Sequence, residues 1–221
     1  MRRLIPSLYA AVLAATLLAA APPLAAQTRD RPTAEQLRAS FQAHKGDFDY
    51  LLGDWTFTGE NRQYGKLRGY WSATRLDGGQ ILDEYRVVGD KGETYYVTST
   101  VRAYNAALDR WELIGMDGDG GGGLQDFGTG QRVGGEVRIE QKFGVATSHP
   151  SRWRIRYSDI RPDRFTWTAD RSLDDGKSWT RDFQKLQARR IGPARALGPL
   201  TTAKESAAAA PEPDSGKTRS P

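Results

Sequence analysis

A period-two alternation of apolar and polar residues recurs in ten short runs along most of this chain. Such alternation predicts β-strands, because successive side chains of a strand point to opposite faces of its sheet. The breaks between runs carry residues typical of tight turns, as in "LDGGQ" at 76–80 and "GDKGE" at 89–93. The predicted strands are 54–62, 66–76, 80–89, 93–104, 110–117, 122–128, 132–142, 151–160, 163–173 and 178–188.

The short connections decide how these strands assemble. Strands joined by turns, without helical crossovers, form an antiparallel up-and-down meander. An open sheet of about ten strands would leave two unpaired edges and a bare apolar face, and closure into a barrel removes both. All six tryptophans fall inside the runs, which indicates one continuous core. We therefore expect an all-β fold, a closed antiparallel barrel whose interior has room for a small ligand.

The N-terminal residues predict a secretory signal peptide over 1–26. Two arginines precede an apolar run over 8–21, and prolines and small residues follow up to Ala26. Cleavage after Ala26 would release a periplasmic or secreted chain with no stable membrane anchor. An uncleaved transmembrane anchor is the alternative, since the apolar stretch approaches the ~20 residues of a span. The chain has no cysteine, so an exported domain would fold without disulfides.

The rest of the chain divides into three predicted parts. Residues 27–46 form a linker and a short helix that Thr33 caps with Gln36 as its reciprocal partner. Residues 47–190 form the barrel, and 191–221, rich in Ala, Pro, Gly, Thr and Ser, form a disordered tail. The net charge of +5 comes from Arg2, Arg3 and the residues from 189 onward, so 27–188 are balanced. We expect no nucleic-acid partner.

The start of the first strand, "FDYLLGDWTF" at 48–57, looks like the Gly-x-Trp entry of lipocalin-like barrels, the calycin superfamily. The resemblance implies that the apolar turn closes one barrel end and that Trp55 faces inward. It also implies a basic side chain from the last strand against Trp55, which Arg181, Lys185 or Arg189 would supply.

Three further segments, together with this one, extend the resemblance over 48–188. The succession "LLGDW", "LDGGQILDEYRV", "YNAALDRWELIGMD" and "SLDDGKSW" resembles a family of uncharacterised bacterial secreted domains with lipocalin-like barrels. This resemblance implies the fold and export, and it carries over no catalytic residue. The last segment, at 172–179, is also similar to the Asp-box of sialidases, where an Asp caps a hairpin turn and Trp packs on the sheet. A single copy predicts a structural turn.

Strand alternation supplies the candidate ligand-binding residues. Large aromatic side chains in half-buried strands are the expected lining of a barrel cavity, and most of them also contribute to the core. The candidates are Trp71, Tyr85, Tyr95, Trp111, Trp153, Tyr157 and Trp167.

Two acidic residues are weak candidates for catalysis. In "QILDEYRVV", Asp83 and Glu84 lie on opposite faces, so either face carries an acid among apolar neighbours. A buried carboxylate there would have a raised pKa suited to proton transfer. The alternative is an outward Glu84 that pairs with Arg86.

Metal and cofactor chemistry receives little support. The loop "DGDGGGG" at 117–123 lacks the Glu that a calcium loop would place where Gly128 stands, so a flexible rim loop is expected, although Asp117, Asp119 and Asp126 remain weak cation ligands. Two histidines and no cysteine are too few for a zinc site or a thiol nucleophile.

The nitrobindins, a related barrel group, hold haem through a late histidine. His149 is the only such candidate here, but it lies in the turn "TSHPS", and we expect no cofactor.

These observations leave three hypotheses. The first is an exported, non-catalytic barrel that binds a small apolar or amphipathic ligand in an aromatic-lined cavity. The second is a proton-transfer enzyme that uses Asp83 or Glu84 as general base, with Tyr85 or Tyr95 orienting the substrate. The third is a structural scaffold in an envelope assembly, with the C-terminal tail as its tether.

Overall fold

Ten antiparallel strands close into a barrel in the computed structural model of this chain, which describes residues 31–117 and 123–195. Each strand pairs with the next in sequence, and β1 pairs with β10 to complete the ring. The predicted fold class is therefore confirmed. The strands are β1 (Gly53–Asn61), β2 (Gly65–Arg75), β3 (Ile81–Val88), β4 (Thr94–Asn105), β5 (Arg110–Asp117), β6 (Gly128–Val133), β7 (Glu136–Phe143), β8 (Ser151–Ser158), β9 (Arg164–Ser172) and β10 (Thr180–Gly192).

The boundaries of three predicted strands were wrong. The predicted runs 122–128 and 132–142 correspond to β6 at 128–133 and β7 at 136–143, because the Gly134-Gly135 turn interrupts what reads as one alternating run. The last strand also continues to Gly192, four residues beyond its predicted end. The predicted signal peptide, most of the 117–123 loop and most of the C-terminal tail lie outside the described residues.

The N-terminal helix, α1 (Ala34–His44), begins with the predicted capping box. The Thr33 hydroxyl accepts from the Gln36 amide, and the Gln36 side chain accepts from the Thr33 amide. The helix contacts the barrel at β4, where Ser40 and Tyr104 share a hydrogen bond of 2.8 Å. None of its residues is buried, so it lies against the barrel wall and adds little to the core. Among the described residues, no helix has the length and apolarity needed to span a membrane.

One end of the barrel is filled by residues 46–52, which we call the plug; that end is the closed end. Phe48 and Leu51 of the plug are fully buried. The indole of Trp55 donates a 2.8 Å hydrogen bond to the Leu51 carbonyl. A side chain at Gly53 would meet Arg190 and the Gly192 carbonyl, and its φ of 106° suits glycine, so this residue lets the chain turn from the plug into β1. The predicted closure by an apolar turn is confirmed.

The basic residue over Trp55 is Arg190, and the three predicted candidates were wrong. The Arg190 guanidinium lies 4.1 Å from the Trp55 ring and donates to the carbonyls of Tyr50 and Leu52. From Gln184 onward the even-numbered residues of β10 face inward, so Lys185 and Arg189 face solvent. Arg181 lies before the register shift of β10 and is 80% exposed. The residue type was predictable, but the inward face of β10 was not.

The Asp-box segment forms the β9–β10 turn, as predicted. Asp174 accepts hydrogen bonds from the hydroxyls of Ser172 and Ser178 and from the Ser178 amide. Gly176 has a φ of 95°, and the Trp179 indole donates to the Gly176 carbonyl. The Arg154 guanidinium lies 3.9 Å from the Trp179 ring, which holds the turn against β8. These contacts give the segment a structural role.

Candidate ligand-binding site

The half of the barrel opposite the plug contains a cavity of about 1240 Å³. The turns after β1 and β3 surround its mouth, which we call the open end. Ligand pockets usually occupy about 300–1,000 Å³, so this space accommodates a small molecule together with water.

Aromatic rings form most of the cavity wall. Tyr85 stacks on Phe57 with ring centres 4.7 Å apart, and Trp71 meets Tyr85 edge to face at 5.3 Å. On the facing wall Trp153 packs edge to face on Phe183 at 5.3 Å. These rings come from β1, β2, β3, β8 and β10. Alternation places the first four inward, and the register shift in β10 brings Phe183 to the same side. The wall therefore offers flat apolar faces to a ligand.

The floor of the cavity is a buried ion pair between Asp83 of β3 and Arg102 of β4. The guanidinium donates to both carboxylate oxygens at 2.7 and 3.1 Å, and the Trp71 indole donates to the same carboxylate at 2.7 Å. Only 2% of Asp83 and 3% of Arg102 is exposed. With three hydrogen bonds, about three of the four acceptor positions of the carboxylate are occupied. The floor is polar but carries no net charge.

Burial and neighbouring charges shift the pKa values of ionisable groups in the floor and wall of the cavity. Burial lowers the pKa of Arg102, but the adjacent Asp83 carboxylate raises it more, so the guanidinium stays protonated. Burial raises the pKa of Tyr157 to about 12, and it raises the pKa of Tyr85 still further above the ordinary value of 10.0. Both phenols are therefore neutral hydrogen-bonding groups at physiological pH.

A second polar strip lies on the wall between β1 and β10. The Asn61 amide donates to the Gln184 side chain at 2.7 Å, and the Gln184 amide donates to the Tyr85 hydroxyl at 3.4 Å. Asn61 and Gln184 are directly paired across the two strands. This strip gives an otherwise aromatic wall a few neutral hydrogen-bonding groups near the mouth.

The mouth itself carries charged residues. Arg171 lies near the end of β9, on the same inward face as the buried residues before it. Its guanidinium is 4.5 Å from the Phe183 ring. On the other side, Arg68 lies 3.3 Å from the Asp90 carboxylate. The mouth is thus more polar than the aromatic wall beneath it.

Six of the seven predicted aromatic residues line the cavity. Tyr95 belongs to its outermost rim, is 69% exposed, and donates to Glu93. Trp111 lies outside the lining: it packs at 4.9 Å on Phe48 of the plug and donates to Asp47. The six that line the cavity are Trp71, Tyr85, Tyr95, Trp153, Tyr157 and Trp167.

The remaining candidate residues, those for catalysis and for metal or haem binding, lie at different places relative to the cavity. Asp83 faces inward and Glu84 faces outward, where it accepts a 2.7 Å hydrogen bond from Arg86 as the alternative interpretation expected. His149 lies in an exposed turn and contacts Ser148, away from the cavity lining. Asp126 is buried and accepts from the Gly144 amide at 2.8 Å. Within residues 31–117 and 123–195, no three acidic or histidine side chains cluster as metal ligands.

Sequence reasoning missed Arg102, Arg171 and Phe183. Asp83 pairs with Thr100, which places Arg102 diagonally opposite Asp83. The register shifts between Val87 and Val88, so the turn at 89–93 alone would pair Asp83 with Ser99 and does not reveal Arg102. Arg171 was predictable, because it shares the face of β9 that carries the buried Phe165 and Trp167. Phe183 was harder to find: the register of β10 shifts between Thr180 and Gln184, so alternation alone does not show which residues there face inward.

Comparisons with known proteins add no functional assignment. No protein-family model matches the chain, and no curated protein matches it. Among solved structures it is similar to Rv2717c from M. tuberculosis, at 12% identity and a TM-score of 0.47 over 69% of this chain and 97% of that one. It is also similar to a redesigned β-barrel, mFAP1, bound to DFHBI, at 11% identity and a TM-score of 0.34 over 65% and 96% of the two chains. The description of the fold as a closed antiparallel barrel rests on the strand pairing.

Proposed function

We propose that this protein is an exported binding protein that holds one small apolar or amphipathic molecule and does not change it covalently. The observation that carries the proposal is the aromatic-walled cavity of about 1240 Å³, open at one end and closed by the plug at the other. The floor and the Asn61–Gln184 strip add a few hydrogen-bonding groups. Apolar walls with a few placed polar groups are the usual composition of a ligand site.

The surroundings of Asp83 favour binding over proton transfer. A general base needs an acceptor position directed at the substrate. The Asp83 carboxylate is already held by Arg102 and Trp71. Glu84, the other candidate base, lies on the outer surface. No observation favours the enzyme hypothesis or the scaffold hypothesis over the binding one.

Export and membership of the bacterial secreted family are part of the same proposal, and they rest on the sequence pattern alone. Expression of the full chain followed by fractionation tests export. We expect the protein in the periplasm or medium with Gln27 as its first residue. A cytoplasmic protein that retains residues 1–26 would contradict this part.

The binding proposal is tested with a neutral apolar fluorophore, N-phenyl-1-naphthylamine, titrated into the purified protein. We expect saturable fluorescence enhancement with one site per chain. In the Val87→Trp variant a large ring would occupy the cavity, because Val87 faces inward and belongs to its lining. We expect affinity to fall at least tenfold, as roughly 1.4 kcal/mol of lost contact would produce.

The matched control is Val101→Trp, which places the same ring on the outer face of β4. It should bind the fluorophore like the wild type. Absence of enhancement in the wild type, or equal affinity in both variants with intact circular dichroism, would overturn the binding proposal. Native mass spectrometry of the protein purified from its periplasm then gives the mass of any retained ligand.

A further inference from the structure

Three arginines line the cavity, Arg68 and Arg171 at its mouth and Arg102 at its floor, and their surroundings differ. Arg102 at the floor is neutralised by two hydrogen bonds from its guanidinium to Asp83. Arg171 at the mouth is half-buried and has no carboxylate within ion-pairing distance among the described residues. Its guanidinium donates to the neutral Gln63 side chain at 3.0 Å.

The Arg171 Nε group is buried and makes no hydrogen bond with the described residues. A buried donor without a partner costs free energy unless water or a ligand supplies the acceptor. Arg171 therefore has both a positive charge and a donor for a ligand atom at the mouth.

Apolar surface lies directly beneath this charge. Phe183 supports the guanidinium of Arg171, and Trp153 pairs with Arg171 across β8 and β9. Trp153 in turn packs against Phe143 and Phe183 at 5.4 and 5.3 Å. The site thus combines a cation at the entrance with a continuous aromatic wall leading inward.

Other charged residues of the mouth change this picture little. Asp90 is engaged by Arg68 at 3.3 Å. Glu60 lies on the outward face of β1, directly opposite Lys66 on β2 and Lys185 on β10. The described acids of the rim therefore have basic neighbours of their own.

We propose that the ligand is an amphiphile with one anionic head group, a carboxylate or a phosphate. Its head pairs with Arg171 at the mouth, and its apolar part lies on the wall formed by Phe183 and Trp153. The proposal rests on the binding function proposed above. The uncharged floor receives the apolar end, because an anion at the floor would meet Asp83 beside Arg102. The planar guanidinium suits either head group, since both accept two parallel hydrogen bonds.

The test measures displacement of N-phenyl-1-naphthylamine by three ligands with the same twelve-carbon chain: dodecanoate, dodecyl phosphate and dodecanol, all below their micellar concentrations. In the wild type we expect at least one anionic ligand to bind about tenfold more tightly than dodecanol, the low end for a hydrogen-bonded charge at a partly exposed site. In Arg171→Gln this preference should disappear while dodecanol binds as before. Arg171→Lys should keep part of it, because the charge remains and the planar fork is lost.

The matched control is Arg181→Gln, which removes an equal charge from the same end of the barrel but from its outer face, where Arg181 is 80% exposed. It should leave the preference unchanged. The anion that binds more tightly identifies the head group as carboxylate or phosphate. Equal binding of all three ligands, or equal loss in Arg181→Gln and Arg171→Gln, would overturn the proposal while leaving the binding function intact. A failure of the fluorophore itself to bind would instead contradict the binding function.

Discussion

The two ends of the barrel are built from the same ten strands, yet one is filled and the other is hollow. At the closed end, Phe48, Leu51, Trp55 and Trp111 are at most 1% exposed, and the rings of Phe48 and Trp111 pack edge to face. At the open end, the aromatic side chains surround about 1240 Å³ of space. Whether one end of the barrel forms a core or a binding site therefore depends mainly on whether the plug fills it, and less on the strands themselves.

Barrel width explains why a separate segment is needed. Eight strands give an interior that wall side chains just fill, and ten strands give a wider one. The plug supplies the missing volume at the closed end. Along β1 the inward residues change from Trp55 and Phe57 to Gly59 and Asn61, so the wall also contributes less volume toward the open end. The barrel can have an aromatic lining and still contain a cavity, because the plug fills the closed half and leaves the open half empty.

The sharpest test of the boundary between the halves is Asp83→Asn. This change leaves the Arg102 charge buried beside an amide, and loss of one partner of a buried pair typically costs about 3–5 kcal/mol, so we expect a loss of up to about 5 kcal/mol in the free energy of unfolding. Urea denaturation followed by circular dichroism measures it. The double change Asp83→Leu with Arg102→Met should recover most of the loss, since it leaves no unpaired charge. If the single and double variants are equally unstable, the unpaired Arg102 charge is not the source of the loss.

Truncating one phenylalanine in each half compares the halves directly. Phe48→Ala empties a fully enclosed position, so we expect a loss of about 3–4 kcal/mol in unfolding free energy. Phe183→Ala enlarges a cavity that already exists, so mainly the transfer term of about 1.5–2 kcal/mol is lost. The Phe183 change should also weaken fluorophore binding, whereas the Phe48 change should not. Equal stability losses would show that the open half is packed as tightly as the closed half.

Arg190→Met tests how firmly the plug is held. The guanidinium donates to the carbonyls of Tyr50, Leu52 and Pro162 and stacks on Trp55, and methionine keeps only the apolar contact. We expect a loss of about 2 kcal/mol in unfolding free energy, since hydrogen bonds from a charged group contribute about 1.5–3 kcal/mol. Arg189→Met is the neighbouring control on the outward face and should change stability by less than about 0.5 kcal/mol. A similar loss in both would assign the effect to β10 strand propensity.

The same contrast separates what sequence analysis predicted from what it missed. The plug, the helix cap, the Asp174 turn and the closed barrel follow from local patterns, and the structure confirms them. The residues that define the site, Arg102 and Arg171, depend on which strand faces meet across the interior. The register shifts between β3 and β4 and between β9 and β10 hide much of that information from alternation alone. Turns and helix caps can be predicted from one sequence. A site built by side chains from several strands can be predicted only when the pairing register of those strands is known.

The smallest expected effect concerns a turn at the open end. The Ser178 hydroxyl and amide, together with the Ser172 hydroxyl, hold the pKa of Asp174 well below its ordinary value of 3.8. A carboxyl whose pKa is lower in the folded chain stabilises the fold above its unfolded pKa and loses that contribution as pH falls toward the folded value. Asp174→Asn should therefore be slightly less stable than the wild type at neutral pH, and the difference should shrink below about pH 4.

Thermal unfolding of wild type and Asp174→Asn between pH 2.5 and 7 measures this effect, with Asp77→Asn in the exposed β2–β3 turn as control. Because the turn lies outside the cavity wall, fluorophore binding at neutral pH should be unchanged. A difference that grows as pH falls would show that the hydrogen bonds to Asp174 do not favour its charged form. Loss of binding together with stability would mean that the open end depends on its turns as strongly as the closed end depends on the plug.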